Sequence, residues 1–378
     1  MMEHDAEKGS TASLGERLRE RIKSFGPISF SDWMKAALYD EREGYYCRRD
    51  LKRWGRAGDY RTSPERSRLF AATFARYFAQ LYQELGSPQE FTILEAGAGA
   101  GHFAHDVLET LKRFHQHVFH AARYLIDEAS ADARDRARSL LAPFKERIAF
   151  LQLENLGQGI GAGIIFSNEL LDAMPVHRVL LKNGELLELC VGLDEAEEFI
   201  WIERAPTTPL LENYFSELGV RPAEGHYAEV NLAAADWLRR AASVLDKGYV
   251  ITVDYGAHAA ELYQDTHRRA GTLRAFRQHQ FADNPLDSPG AQDITSTVNW
   301  THLQQAAEEC GLETLSLERQ DAFLLRAGLL EQLELLTAES ESEADAVILR
   351  TSAREVILPG SMSSSFQILV QKRISQNC

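Results

Sequence analysis

Cysteine is scarce in this chain: four in 378 residues, Cys47, Cys190, Cys310 and Cys378, far apart and without a C-x-x-C pair. That spacing fits neither a disulfide framework nor a cysteine-rich zinc site, and it suits a reducing compartment. No apolar run approaches the roughly 18 residues that cross a bilayer, so no membrane insertion is expected. Glu3, Asp5 and Glu7 stand where a signal or transit peptide avoids acids, which gives a cytoplasmic protein as the expectation. Positive charge is also in deficit: 41 Lys and Arg against 56 Asp and Glu leave a net charge of -15. Such a surface repels phosphate backbones and anionic lipid heads, which argues against nucleic acid and favours small cations or basic protein segments. His115, His117 and His120 cluster beside no other ligand type, so no metal is expected.

What the chain does have is an apolar strand that runs into an acid and three alternating glycines, Phe91-Thr-Ile-Leu-Glu-Ala-Gly-Ala-Gly-Ala-Gly101. Glycine allows a tight turn and a close approach of ligand to backbone, so Gly97, Gly99 and Gly101 suggest a strand-to-helix turn against a cofactor. A dinucleotide fingerprint, G-x-G-x-x-G, would need its third glycine where His102 stands. The remaining pattern, acid-x-Gly-x-Gly-x-Gly, looks like the first motif of S-adenosylmethionine-dependent methyltransferases, in which Glu95 would sit near the methionine ammonium group. By itself the motif leaves a purely structural glycine turn open.

Strand and helix signals alternate from residue 91 onward, which predicts an α/β fold with a Rossmann-like, doubly wound sheet. Strands are expected at 91–95, 123–127, 148–152, 163–167 and 249–253, with helices near 101–113, 130–142 and 231–244. Residues 1–90 read as an N-terminal helical extension covering the active site. Leu14, Leu18 and Ile22 mark one helix, Ser29 caps a second that carries Phe30, Met34, Ala37 and Leu38, and Ser63-Pro64 opens a long third with Phe70, Phe74 and Phe78 as core. Residues 91–177 would be the first part of the cofactor domain, and 178–230 an inserted hairpin subdomain turning at Asn183-Gly184. Residues 231–378 would complete the domain, with a long active-site loop at 255–298, an exposed excursion over Ser340–Ser365 and a closing edge strand from Phe366.

Ligands of open α/β sheets bind beyond the carboxyl ends of the strands. Those ends carry Glu95 and the glycines, then Asp127-Glu128-Ala-Ser130, then Asn168-Glu169-Leu-Leu-Asp172-Ala-Met-Pro175, and finally Asp254-Tyr255-Gly256. A carboxylate after the second strand can accept two ribose hydroxyls, although an acid before a helix N-terminus is equally ordinary.

The segments Asn168–Pro175, Gly58-Asp-Tyr-Arg-Thr-Ser-Pro64 and Gly271–His279 through Pro289–Thr295 resemble the MidA family over most of the chain, about Gly26 to Lys372. These are methyltransferase-fold proteins whose mitochondrial member methylates an arginine of a respiratory complex I subunit. The resemblance implies S-adenosylmethionine as cofactor and a protein partner, such as a complex I-type subunit, as acceptor. It places Glu95, Gly97, Gly99 and Gly101 at the methionine end, Glu128 at the ribose and Asn168 among the residues that contact the cofactor. It puts Asn168, Glu169 and Asp172 at the methyl group, with Asp59, Tyr60, Asp254, Arg274 and Asp293 on the substrate side. Two departures stand out: Ala98 and Ala100 replace the family's Pro and Arg, and Thr297-Val-Asn299 replaces His-Val-Asp.

A guanidinium, with a pKa of about 12.5–13.8, is a poor nucleophile until carboxylates grip it and take its proton. Glu169 and Asp172 are the expected grip, sharing one face if a helix starts after Asn168. A cofactor-binding assembly chaperone without catalysis, or a small-molecule methyltransferase, would use the same motifs.

Overall fold

The computed structural model describes residues 12–49, 51, 68–157, 159–277, 280–340, 342–357 and 365–373. The chain starts with the helix Leu14–Phe25, where Ser13 and Glu16 form a reciprocal capping box and Leu14, Leu18 and Ile22 are buried. β1 (Ile28–Ser29) follows, and Ser29 accepts from the Asp32 amide to cap the helix Phe30–Tyr39. The long third helix is described over Arg68–Glu84; its expected start at Ser63-Pro64 lies outside the described residues.

β2 (Phe91–Ala96), β3 (Ala122–Asp127), β4 (Ile148–Leu151), β5 (Gly163–Asn168) and β10 (Gly248–Ala257) form a parallel sheet in the order β4-β3-β2-β5-β10. Alternate residues face opposite sides. Ile93, Ile164 and Ile251 enter one apolar cluster, while Leu94, Ile165 and Val250 enter the other. Helices cover both faces, so the central strands β2, β5 and β10 are mostly apolar and buried, as inner parallel strands must be. Phe70, Phe74 and Phe78 of the long helix meet Phe103 and Phe166, whose rings stack at 4.4 Å. This aromatic stripe is core, as expected. The order of strands reverses at β2, whose neighbours are β3 on one side and β5 on the other, and a crevice opens there at the carboxyl ends.

A second sheet contains β6 (His177–Lys182), β7 (Glu185–Leu193), β8 (Phe199–Arg204) and β9 (Tyr227–Val230). β7 pairs with β6, β8 and β1, so the N-terminal segment is sewn into this sheet by backbone hydrogen bonds. Asn183 and Gly184, both at positive φ, make the two-residue turn between β6 and β7.

Two stretches differ from their sequence reading. Residues 255–298, expected as a long loop, hold a three-stranded antiparallel sheet of β11 (Arg274–Arg277), β12 (Gln280–Phe281) and β13 (Asp293–Thr295), in the order β12-β11-β13. β14 (Val298–Asn299) then runs beside the end of β10. Such short strands are below the length at which alternation declares itself. Within Ser340–Ser365, expected as an excursion, Glu343–Ile357 is a helix that buries Ala346, Ala353 and Val356. Its three acids, Glu343, Asp345 and Glu355, lie on the solvent side, and with the serines around the helix they conceal that stripe. The central sheet ends with β15 (Leu312–Arg319) and β16 (Phe366–Arg373), β16 pairing antiparallel with both β10 and β15. The expected closing edge strand is thus one position inside the edge.

Candidate active site

The crevice at the switch point is a cleft of about 1430 Å³ lined by Glu95, Gly97, Gly99, Asp127, Glu128, Asn168, Glu169, Asp172, Arg274 and Asp293, among others. Gly97, Gly99 and Gly101 all have positive φ, at 72°, 54° and 83°. Such a run keeps the main chain low, where side chains would crowd it. Gly101, expected at the methionine end, faces away: a Cβ there would stand 3.0 Å from that of Ala137 on the helix Ala131–Leu140. Its smallness serves helix packing. Glu128 reaches back to the turn, accepting from the Gly99 amide at 2.8 Å and from the Ser130 amide at 2.7 Å. It therefore fixes the turn and faces the cleft at once.

The segment after β5 is a turn, so the helix on which a shared face for Glu169 and Asp172 depended does not start there. Glu169 has φ 51°, and its amide donates to the Val253 carbonyl at 2.9 Å. Asp254, fully buried behind the cleft wall, accepts from the amides of Leu171, Asp172 and Tyr255 at 2.9, 3.3 and 2.8 Å. Those bonds leave the backbone no helical register. Asp254 is thus scaffolding for this turn and not part of the lining, while Glu169 and Asp172 reach the cleft without sharing a helical face. Asn168 donates to Glu169 at 3.0 Å. Its own Oδ1, and Oδ1 of Asp172, are buried acceptors with no partner among the described residues. Buried acceptors left open in a cleft wall call for a donor from a ligand.

On the substrate side, Arg274 donates to Thr297 Oγ1 at 3.1 Å and rests its guanidinium 5.5 Å from the Tyr255 ring centre. Tyr46 donates to Asp293 Oδ1 at 2.6 Å, and Tyr39 donates to the Ala173 carbonyl at 3.1 Å. Asn299 does not open onto the mouth. It is buried, caps the helix Trp300–Glu309 and donates to the Tyr214 hydroxyl at 2.8 Å, so the family's carboxylate is replaced at a helix cap. Asp59 and Tyr60 lie outside the described residues.

Several lining residues escaped the sequence reading: Tyr39, Tyr46, Trp237 and Arg240. Arg240 donates to the carbonyls of Leu153, Glu154 and Leu156, which secures the wall beside Asp127. A signal existed for it. On the helix Leu232–Val244, Ala233, Trp237 and Arg240 recur at helical spacing and all line the cleft. Gly44, whose Cβ would stand 2.4 Å from the Asp40 amide nitrogen, marks the turn that brings Tyr46 in.

A family model described as "Putative S-adenosyl-L-methionine-dependent methyltransferase" matches residues 73–317. The chain belongs to this methyltransferase family. A crystal structure described as that of a "likely methyl transferase from Burkholderia thailandensis bound to S-adenosyl-homocysteine" is similar to it with a TM-score of 0.84 and 29% identity, covering 95% of this chain and 92% of that one. Among curated proteins it resembles Drosophila melanogaster "Protein arginine methyltransferase NDUFAF7 homolog, mitochondrial", 28% identical over 396 residues, covering 96% of this chain and 85% of that protein. The Homo sapiens "Protein arginine methyltransferase NDUFAF7, mitochondrial" is 23% identical, with 85% and 75% covered. The methyltransferase is thus of the MidA type, with S-adenosylmethionine as cofactor. These relatives are mitochondrial by name, which corrects the expectation of a cytoplasmic protein.

The chemistry of the cleft fits this cofactor, whose ammonium, ribose hydroxyls and adenine amino group are all donors. Burial raises Glu95 to about 8, against a hydrogen bond from Tyr124 at 2.7 Å that pulls it down. Burial likewise raises Asp127 to about 6. Asp172 and Asp254 are both pushed up, by burial first and, for Asp172, then by the charge of Asp254. The methyltransferase thus holds several carboxyls close to neutrality, where an entering cation draws them into the ionised form.

Proposed function

We propose that this methyltransferase methylates a guanidinium nitrogen of an arginine in a partner protein. The observation that carries the reading is the gathering of Glu169, Asp172 and Asp293 in one cleft with the Gly97–Gly99 turn, beside the rings of Tyr39, Tyr46 and Tyr255. Acids among aromatic faces suit a flat cation. The arginine methyltransferase names of the curated relatives support the same acceptor. The chain's excess of acids favours a basic segment of that partner.

Glu95, Gly97, Gly99 and Asn168 would hold the amino-acid end of S-adenosylmethionine, and Glu128, with Asp127 beside it, the ribose. The cofactor supplies an electrophilic methyl group on a sulfonium sulfur. Glu169 and Asp172 grip the acceptor guanidinium, draw its positive charge toward the nitrogens they bind, and leave the third nitrogen free to attack. A carboxylate among them then takes the proton that the guanidinium gives up. Asn168 orients Glu169 through their hydrogen bond, and Asp254 keeps the turn from collapsing by holding two of its amides, those of Leu171 and Asp172. Most of the rate comes from alignment and from a site shaped to exclude water.

The test is transfer of a labelled methyl group from S-adenosylmethionine into an extract of cells lacking this protein, with mass spectrometry to locate the label. An arginine in a protein is expected. Label on a small molecule or on another residue type refutes the reading, and a partner that is bound but never methylated supports a chaperone.

A further inference from the structure

One face of the small antiparallel sheet is turned into the cleft. Along β11 the side chains alternate as a strand requires: Leu273 and Ala275 join Ile294 in the apolar cluster beneath the helix Phe30–Tyr39, while Arg274 and Phe276 line the cleft. Pairing carries that face across the sheet. Phe276 stands opposite Phe281 of β12 on one side and opposite Asp293 of β13 on the other, and Phe281 and Asp293 also line the cleft. The row therefore grades from aromatic at the rim to carboxylate within, over roughly 10 Å at the spacing of neighbouring strands.

The two phenylalanine rings lie 4.6 Å apart between centres. Phe281 is 72% exposed, and among the described residues neither ring belongs to a buried apolar cluster. Phe276 is half-buried, so the exposed Phe281 ring, backed by Phe276 at the edge of a binding cleft, is apolar surface available to what enters. Charge decides what that is. Glu169, Asp172 and Asp293 draw a cation into the cleft, and Arg274, resting on Tyr255, shows that a guanidinium can lie against an aromatic face there. When the acceptor side chain reaches those acids, the residues one to three places away along an extended peptide come level with the rim.

We propose that Phe276 and Phe281 form a specificity-determining subsite that takes an aliphatic or aromatic side chain flanking the methylated arginine. This rests on the arginine reading, and the experiment separates the two. Four synthetic peptides, with arginine or citrulline at the centre and leucine or serine on both flanks, are titrated against the protein loaded with S-adenosylhomocysteine. Leucine flanks should tighten binding to the wild type by about tenfold, the scale of one apolar side chain partly buried. Phe281→Ser should remove most of that preference with S-adenosylhomocysteine affinity and thermal midpoint unchanged, and Phe281→Trp should keep it.

A leucine preference equal in the wild type and Phe281→Ser overturns the subsite, while arginine binding better than citrulline leaves the acceptor reading standing. The converse result, arginine and citrulline alike but the leucine preference lost in Phe281→Ser, keeps the subsite and removes the arginine. Binding of none of the four peptides to the wild type also overturns the subsite.

Discussion

Replacing Glu95 by glutamine should stabilise the folded protein and weaken its hold on the cofactor. The Glu95 carboxyl is buried and sits at about 8, against an ordinary 4.5. The folded state therefore holds the proton more tightly than the unfolded chain. The stability this contributes is fully present below pH 4.5 and is lost as pH rises through about 8. At pH 7 the penalty is on the order of 3 kcal/mol, and it grows by about 2–3 kcal/mol between pH 6 and pH 9. Glutamine removes that penalty. Its oxygen can still accept from Tyr124, but its amide group adds donors that cost about 1–2 kcal/mol if unpaired. The net expectation at pH 7 is a gain of about 1–2 kcal/mol, a rise of roughly 1–3 °C in the thermal midpoint for a chain this long. Denaturant titrations of both proteins at pH 6 and pH 9 should diverge, because the other buried carboxyls are common to both. Calorimetry with S-adenosylmethionine should show affinity lower by about 10–100-fold, as a charged hydrogen bond to the ammonium group is lost. Parallel stability curves across that pH range would refute the assignment of the buried charge, and unchanged affinity would remove Glu95 from the cofactor site.

Other substitutions follow from the same geometry. Gly99→Val places a branched side chain at φ 54° in the turn and should abolish cofactor binding, read by calorimetry, with the circular dichroism of the fold largely kept. Glu169→Gln keeps shape but removes the charge a guanidinium needs; transfer to an identified substrate should fall by on the order of 10²-fold, with S-adenosylmethionine affinity changed by no more than about twofold. Arg240→Ala frees the carbonyls of Leu153, Glu154 and Leu156 and should lower stability by about 1–3 kcal/mol in denaturant titration, with cofactor affinity falling alongside. An Arg240 variant of unaltered affinity would mean that this wall does not depend on the clamp.

The parallel strands were legible because burial on both faces turns Phe91–Ala96, Gly163–Asn168 and Gly248–Ala257 into apolar runs bounded by glycine and acid. The same rule made the carboxyl-end residues legible, since a switch point collects whatever follows its strands. What stayed hidden depends on partners far along the chain. The pair Leu170-Leu171 before Asp172 imitates the start of a helix, yet the turn is fixed by Asp254, 83 and 82 residues beyond Leu171 and Asp172. No local pattern carries that bond. Tyr39 and Tyr46 gave no sign of a cleft role, because both pack partly on the apolar cluster while their hydroxyls reach Ala173 and Asp293. One side chain thus serves packing and the cleft together, and only the packing half has a periodicity. The small sheet shows the same division. Ala275 and Ile294 bind it to the N-terminal helix, so that Arg274, Phe276, Phe281 and Asp293 on its other face are held over the cleft by packing that contains none of them. The N-terminal segment, tied to β7 through β1, is therefore a structural requirement of the substrate wall. Its cost, if loosened, should fall on acceptor binding before it falls on the Gly97–Gly99 turn, which the central sheet holds independently through Gly97 N–H to Asp127 and Gly99 N–H to Glu128.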